Sequence, residues 1–218
     1  MLDTRTLSRG LAAAALAIAI AFAASAWAND ILDDWNTVTL PPKPELKAVR
    51  LDGSTTALLI MDMSKACNMR PRCVATVRNV HQLHDAARAA GAMLWYSSVG
   101  PADKATPADF VDPSFGPRDG EWVHTAGDKF LGTNLEEKLK ARKIQTVIVC
   151  GTTFQGAGIS AAAGSAQRGY KVVVPIDCLS SEDTYSEQYA AWHLYKGGPI
   201  GVTSKVTLTR STMVKFAN

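Results

Sequence analysis

The chain is 218 residues long and carries 23 Lys and Arg against 20 Asp and Glu, for a formal net charge of +3. A charge this small, mixed in sign and free of like-charge blocks excludes the basic footprint of a nucleic-acid binder. With 47% hydrophobic residues, a chain of this length buries a sizeable core in one domain, at most two.

Residues 1–28 stand apart. Arg5 and Arg9 give a positive start, Leu11 to Ala24 is an unbroken apolar run, and Ala26-Trp27-Ala28 is a small-x-small cleavage site. That layout predicts a secretory signal peptide cut after Ala28, leaving a periplasmic or secreted protein. The run is shorter than the roughly 20 apolar residues of a spanning helix, and no later segment reaches that length. No stable membrane span is therefore expected after cleavage. Residues 29–54 read as an N-terminal extension, with Trp35 and the extended stretch Pro41-Pro42-Lys43-Pro44.

From 55 to 218 the pattern is that of one domain. Thr55 to Met63 (TTALLIMDM) is a near-continuous apolar run, as in a strand buried on both faces. Val74 to Ala90 has helical spacing, with Val77, Val80, Leu83 and Ala87 on one face, and ends at Gly91. Ala92 to Val99 reads as a strand. Gly100 to Gly120, with four prolines and three glycines, reads as a long irregular loop, functional or mobile. Glu121 to Thr125 is a short strand. Thr133-Asn134-Leu135-Glu136 predicts a capping box, Thr133 as N-cap and Glu136 at N3, opening a helix to about Arg142. Gln145 to Cys150 is a strand, Gln155 to Arg168 a helix of small residues, Lys171 to Asp177 a strand, Ser181 to Lys196 a helix, and Lys205 to Thr209 a last strand. Strands alternating with helices predict an α/β fold in three layers, α/β/α, around a mostly parallel, Rossmann-like sheet of about six strands.

All four cysteines lie after the signal, and an exported chain with an even count is expected to form disulfides. Cys67 and Cys73 flank the tight basic loop Asn68-Met69-Arg70-Pro71-Arg72, which favours that pair. Cys150 and Cys178 end two predicted strands and either pair or stay as buried thiols. The C-x5-C spacing without a nearby histidine argues against zinc.

In such sheets, ligands sit beyond the carboxyl ends of the strands. Asp62 ends one strand, Gly151-Thr152-Thr153 follows another, and Asp177 ends a third. Asp62 is either a general acid or base, or a carboxylate satisfied by neighbouring N–H groups. The segment Val149 to Tyr170 (VCGTTFQGAGISAAAGSAQRGY) has a Gly-rich turn opening a helix with almost no bulk. It suits either an oxyanion site at the helix N-terminus or a very close helix–sheet contact. His81, His84, His193 and the tryptophans fit packing roles.

Several pieces resemble the isochorismatase-like hydrolase superfamily: the strand ending Asp62-Met63, the Phe130-Leu131-Gly132-Thr133 turn, Thr146 to Gly151, the small-residue helix closing on Arg168-Gly169-Tyr170, and Val172 to Asp177. Order and spacing agree over about residues 55–210. The resemblance implies an Asp–Lys–Cys site, with the Asp at Asp62. Counting from Gly151, and back from Gly169-Tyr170, the nucleophile's position falls on Ala157, so the thiolate is missing. Cys150 lies seven residues earlier, inside a strand. The lysine's usual place, six residues before Phe130, holds His124. Lys129, immediately before Phe130, is the preferred cation and His124 the second choice. The resemblance also implies a cis peptide at Thr152-Thr153. Thr152, Thr153, Gly156, Gly158 and His124 are expected to line the ligand site. No D-x-H…H set is present, so no metal is expected, and no cofactor.

Two functional readings follow. In one, an exported hydrolase of a small molecule uses Asp62 and Lys129 without a cysteine. In the other, an inactive scaffold binds a small molecule. A cysteine exchanged for alanine in an ordinary thiol hydrolase is a third reading, less in keeping with Gly156-Ala157-Gly158. A homo-oligomer is expected only by analogy with relatives.

Overall fold

The computed structural model describes residues 30–99, 112–118, 120–125 and 127–217. The expected signal peptide and most of the Gly100–Gly120 loop lie outside them. The described residues form two units, divided after Pro42. In the first, residues 31–37 are a series of turns, and the Asp30 carboxylate accepts from the Leu32 and Asp33 amides at 2.7 and 3.2 Å.

The second unit, from Lys43 on, contains β1 (Val49–Leu51), β2 (Thr56–Met61), α1 (Pro71–Ala89), β3 (Met93–Ser98), β4 (Trp122–His124), α2 (Leu135–Ala141) and β5 (Thr146–Thr152). There follow α3 (Ile159–Gln167), β6 (Lys171–Pro175), β7 (Leu179–Ser180), α4 (Thr184–Trp192), α5 (Ile200–Thr203), β8 (Val206–Thr209) and β9 (Val214–Phe216). The main sheet has seven parallel strands in the order β4-β3-β2-β5-β6-β8, and β7 pairs with the far end of β5. β1 and β9 make a separate parallel pair. The sequence reading missed β7, β1 and β9, which are only two or three residues long and too short for an alternation to show.

Side chains alternate across the central strands. Ala57, Leu59 and Met61 of β2 join one core with Val147, Val149, Phe130 and Ala161. Leu58 and Ile60 join the other, with Val80, Leu83 and Ala87 of α1. Both faces of the sheet are covered, which explains the unbroken apolar runs.

The small residues of α3 have a visible partner. A Cβ placed on Gly164 would stand 3.2 Å from the Phe130 ring, so the ring lies directly against the helix. Arg168 closes the contact, its guanidinium 4.1 Å above the same ring. Gly151, at φ +119°, has room for no side chain: a Cβ there would lie 2.0 Å from the Met61 carbonyl oxygen.

The expected capping box is only half formed. Thr133 Oγ1 accepts from the Leu135 amide at 3.3 Å, but Asn134 is the N-cap. The Glu136 carboxylate pairs with Lys140 at 2.6 Å and Arg168 at 2.8 Å rather than turning back to Thr133. With Asn134 as N-cap, Glu136 stands at N2 rather than N3, and the Thr133 amide donates instead to the Phe130 carbonyl at 3.4 Å. Two expected helices also open or close differently: α3 is preceded by a wide turn over Phe154–Gly158, and α4 passes into another at His193–Gly197. Among the described residues, no helix is long and apolar enough to cross a membrane.

Candidate active site

The carboxyl end of β2 turns sharply at Asp62, whose φ of +55° is uncommon for a non-glycine residue. Its amide donates to the Ser97 carbonyl at 2.9 Å, and Ser97 Oγ donates to Asp62 Oδ1 at 2.8 Å. β3 therefore fixes both the backbone and the carboxylate. Lys129 Nζ donates to Oδ2 at 2.7 Å and to Oδ1 at 3.0 Å. The Lys129 side chain is fully buried and that of Asp62 is 13% exposed.

Local chemistry explains how a lysine reaches this place. The Asp128 carboxylate accepts from the Phe130 amide at 2.9 Å, and Thr133 Oγ1 donates to the Lys129 carbonyl at 2.7 Å. These bonds close a tight turn around Lys129 while Phe130 anchors it in the core beside Gly164.

His124 ends β4 beside Ser98. Its Nδ1–H donates to the Ser98 carbonyl at 3.2 Å, which fixes the tautomer. Its Nε2 is buried with no partner. His124 thus stands at the same sheet edge but does not take the carboxylate. Of the two basic groups considered from sequence, the ion pair belongs to Lys129.

β5 leads into the turn that carries Ala157. The Thr152–Thr153 peptide is cis, as the resemblance implies. The amides of Gly156 and Gly158 donate to the Thr153 carbonyl at 3.2 and 3.0 Å, so both are engaged within the turn rather than free. Ala157 itself is 6% exposed and packs in the core cluster with Phe154. Gln155 Oε1 is buried without a partner.

Cys150 lies inside β5 next to Cys178, both fully buried. Burial, and then the Cys178 contact, push its thiol well above the ordinary cysteine range, the opposite of what a nucleophile needs. The expected Cys67–Cys73 disulfide is present. Asp177, the third strand-end carboxylate, accepts from the Ser211 amide and hydroxyl at 2.7 and 2.8 Å and serves to tie chain segments together. Among the described residues, no group of three or more His, Cys, Asp or Glu could hold a metal ion.

One residue at this edge was missed from sequence. Arg70 reaches Thr152, its Nη2 donating to Thr152 Oγ1 at 3.0 Å across 82 residues of chain. The available signal was the basic loop clasped between Cys67 and Cys73, read only for its disulfide.

Comparison with known proteins bears on these observations. The Isochorismatase domain matches residues 56–205. N-carbamoylsarcosine amidase from Arthrobacter sp is 29% identical over 149 residues, 63% of this chain but only 54% of that protein's length. Among solved structures, a cysteine hydrolase from Pseudomonas syringae pv. phaseolicola superposes with a TM-score of 0.62 at 20% identity, covering 78% of this chain and 95% of that one. N-carbamoylsarcosine amidase from Thermoplasma acidophilum gives 0.58 at 23% identity, covering 72% and 96%.

Proposed function

Since this chain belongs to the isochorismatase family, we propose that it is an exported hydrolase of a small molecule that works through Asp62 and Lys129 without a cysteine nucleophile. The observation that carries the reading is the buried ion pair, Lys129 Nζ 2.7 Å from Asp62 Oδ2, at the carboxyl edge of a parallel sheet. In this reading Asp62 takes a proton from an attacking water and delivers it to the leaving group, while Lys129 holds the carboxylate in place and stabilises negative charge. Water replaces the thiolate because residue 157 offers only a methyl group. The names of two similar proteins put amide-type C–N bonds first among substrates, with esters and vinyl ethers after them. Export through residues 1–28 is part of the proposal, and N-terminal sequencing of the secreted protein should begin at Asn29. Self-association is proposed by analogy alone, and light scattering tests it.

A second reading, a binding protein without turnover, is favoured by Ala157 and its nearly complete burial. Loss of a nucleophile removes covalent catalysis outright. Purified protein is assayed against carbamoyl compounds, simple amides, esters and vinyl ethers, beside Asp62→Asn. Turnover abolished by Asp62→Asn supports the hydrolase. Ligands that raise the unfolding temperature without being cleaved support the binder.

A further inference from the structure

Between β2 and α1 runs a short loop closed by the Cys67–Cys73 disulfide, both cysteines 1% exposed. Inside this clasp the Arg70 amide donates to the Cys67 carbonyl at 2.9 Å. The Arg70 side chain leaves the loop for the end of β5, where Nη2 donates to Thr152 Oγ1 at 3.0 Å and pairs with the exposed Glu182. Thr152 is 3% exposed, and its hydroxyl donates in turn to the Ser180 carbonyl at 3.3 Å. The next residue, Thr153, holds the turn that carries Ala157. Its carbonyl accepts from the amides of Gly156 and Gly158, one on each side of Ala157. An arginine fixed by a disulfide therefore stands one hydrogen bond and one peptide away from the residue that orders this turn.

A buried hydroxyl gains more from a charged donor than from a neutral one, and losing that donor leaves an acceptor without water. A long side chain on an open loop would pay for such a bond in both rotamer and backbone freedom, and the disulfide removes the backbone part. We infer that the Cys67–Cys73 disulfide sets the strand-end site through Arg70, a positioning residue that holds Thr152 and, through it, the turn from Thr153 to Gly158. The turn is then tight only where the two cysteines are oxidised. In that step a disulfide oxidant takes two electrons and two protons from the Cys67 and Cys73 thiols and leaves as a dithiol. In a reducing compartment the thiols stay open and the turn stays loose. The inference stands whether the site hydrolyses a ligand or only binds one, because it concerns the turn alone.

Amide hydrogen exchange of the whole protein, followed residue by residue by NMR, tests this without a ligand. Gly156 and Gly158 report the turn, while Leu58 and Ile60 in the buried β2 report global unfolding. Arg70→Met keeps the stem and removes the donors, and should speed exchange at the two glycines about tenfold, the worth of one charged hydrogen bond. The rise at Leu58 and Ile60 should be smaller. Arg70→Lys keeps the charge and a donor, and should lie closer to wild type than to Arg70→Met. Cys67→Ala with Cys73→Ala should loosen the glycines as Arg70→Met does. Made in the Arg70→Met background, the same pair should add no more than about twofold there while still lowering the urea midpoint. A merely structural disulfide would loosen the turn equally in both backgrounds, and that result overturns the inference. So does a rise at the glycines no larger than at Leu58 and Ile60, or an Arg70→Lys protein as loose as Arg70→Met. Should the cysteine pair fail to fold, Thr152→Val decides. Removing the same bond from its other end must reproduce the Arg70→Met effect and add nothing to it, and full additivity overturns the inference.

Discussion

Asp62→Asn keeps the size of the side chain and its contact with Ser97 but removes the charge that faces Lys129. The lysine is fully buried and the carboxylate 13% exposed, so the ammonium has little recourse to water when its counterion goes. Breaking a buried ion pair from one side costs about 3–5 kcal/mol, and partial exposure of Asp62 puts this pair near 3 kcal/mol. For a domain of this size, that is a drop in Tm of about 6–12 °C. Lys129→Met, which keeps most of the volume, should cost a comparable amount by leaving Asp62 unpaired. Combining the two replaces an ion pair with neutral groups of similar shape, and the double variant should recover most of the loss. Urea unfolding of the four proteins measures the cycle, with an unchanged m-value as the check that the native state is intact. Single variants within about 0.5 kcal/mol of wild type, the range of ordinary surface changes, would refute the argument. So would strictly additive costs, because the two side chains would then not be coupled.

Gly151→Ala drives a methyl group to within 2.0 Å of the Met61 carbonyl and asks alanine to hold φ +119°, so a loss of at least about 3 kcal/mol or insoluble protein is expected on expression. Replacing Cys67 and Cys73 together by alanine frees a short loop, and the chain-entropy estimate gives a loss of about 2 kcal/mol, read as a lower urea midpoint equal to that of the reduced wild type. Burial holds the His84 imidazole below the ordinary histidine range, outweighing the hydrogen bond to Asp85. The unfolded chain therefore takes up a proton that the folded one resists. This stability is complete above about pH 6.5 and is lost as pH falls toward the lowered folded value. His84→Gln should flatten the urea midpoint below that pH, and an unaltered slope would assign it to other groups.

Much of the fold was legible because its signals are local. Ala57 to Met61 and Val147 to Cys150 are apolar throughout because helices cover both faces of the sheet, and that burial is written directly into composition. The small residues from Ala157 to Ala166 announced a close approach, and Phe130 is what approaches. Asp62 and residues 151–157 were legible as candidates because strand ends are where open α/β sheets present chemistry. Which cation meets Asp62 was legible only as a preference for Lys129, resting on the charge of its amine. His124 and Lys129 lie five residues apart, and spacing favours the histidine. The structure decides for Lys129 because the Asp128 and Thr133 bonds shape its turn while the Ser98 carbonyl holds the His124 ring. Arg70 beside Thr152 was less legible still. Their contact spans 82 residues and depends on α1 beginning at the edge of the sheet where β5 ends. Periodicity reports which face a residue turns toward the core, whereas a meeting between a strand end and a turn or helix start far along the chain is settled only when the whole sheet is assembled.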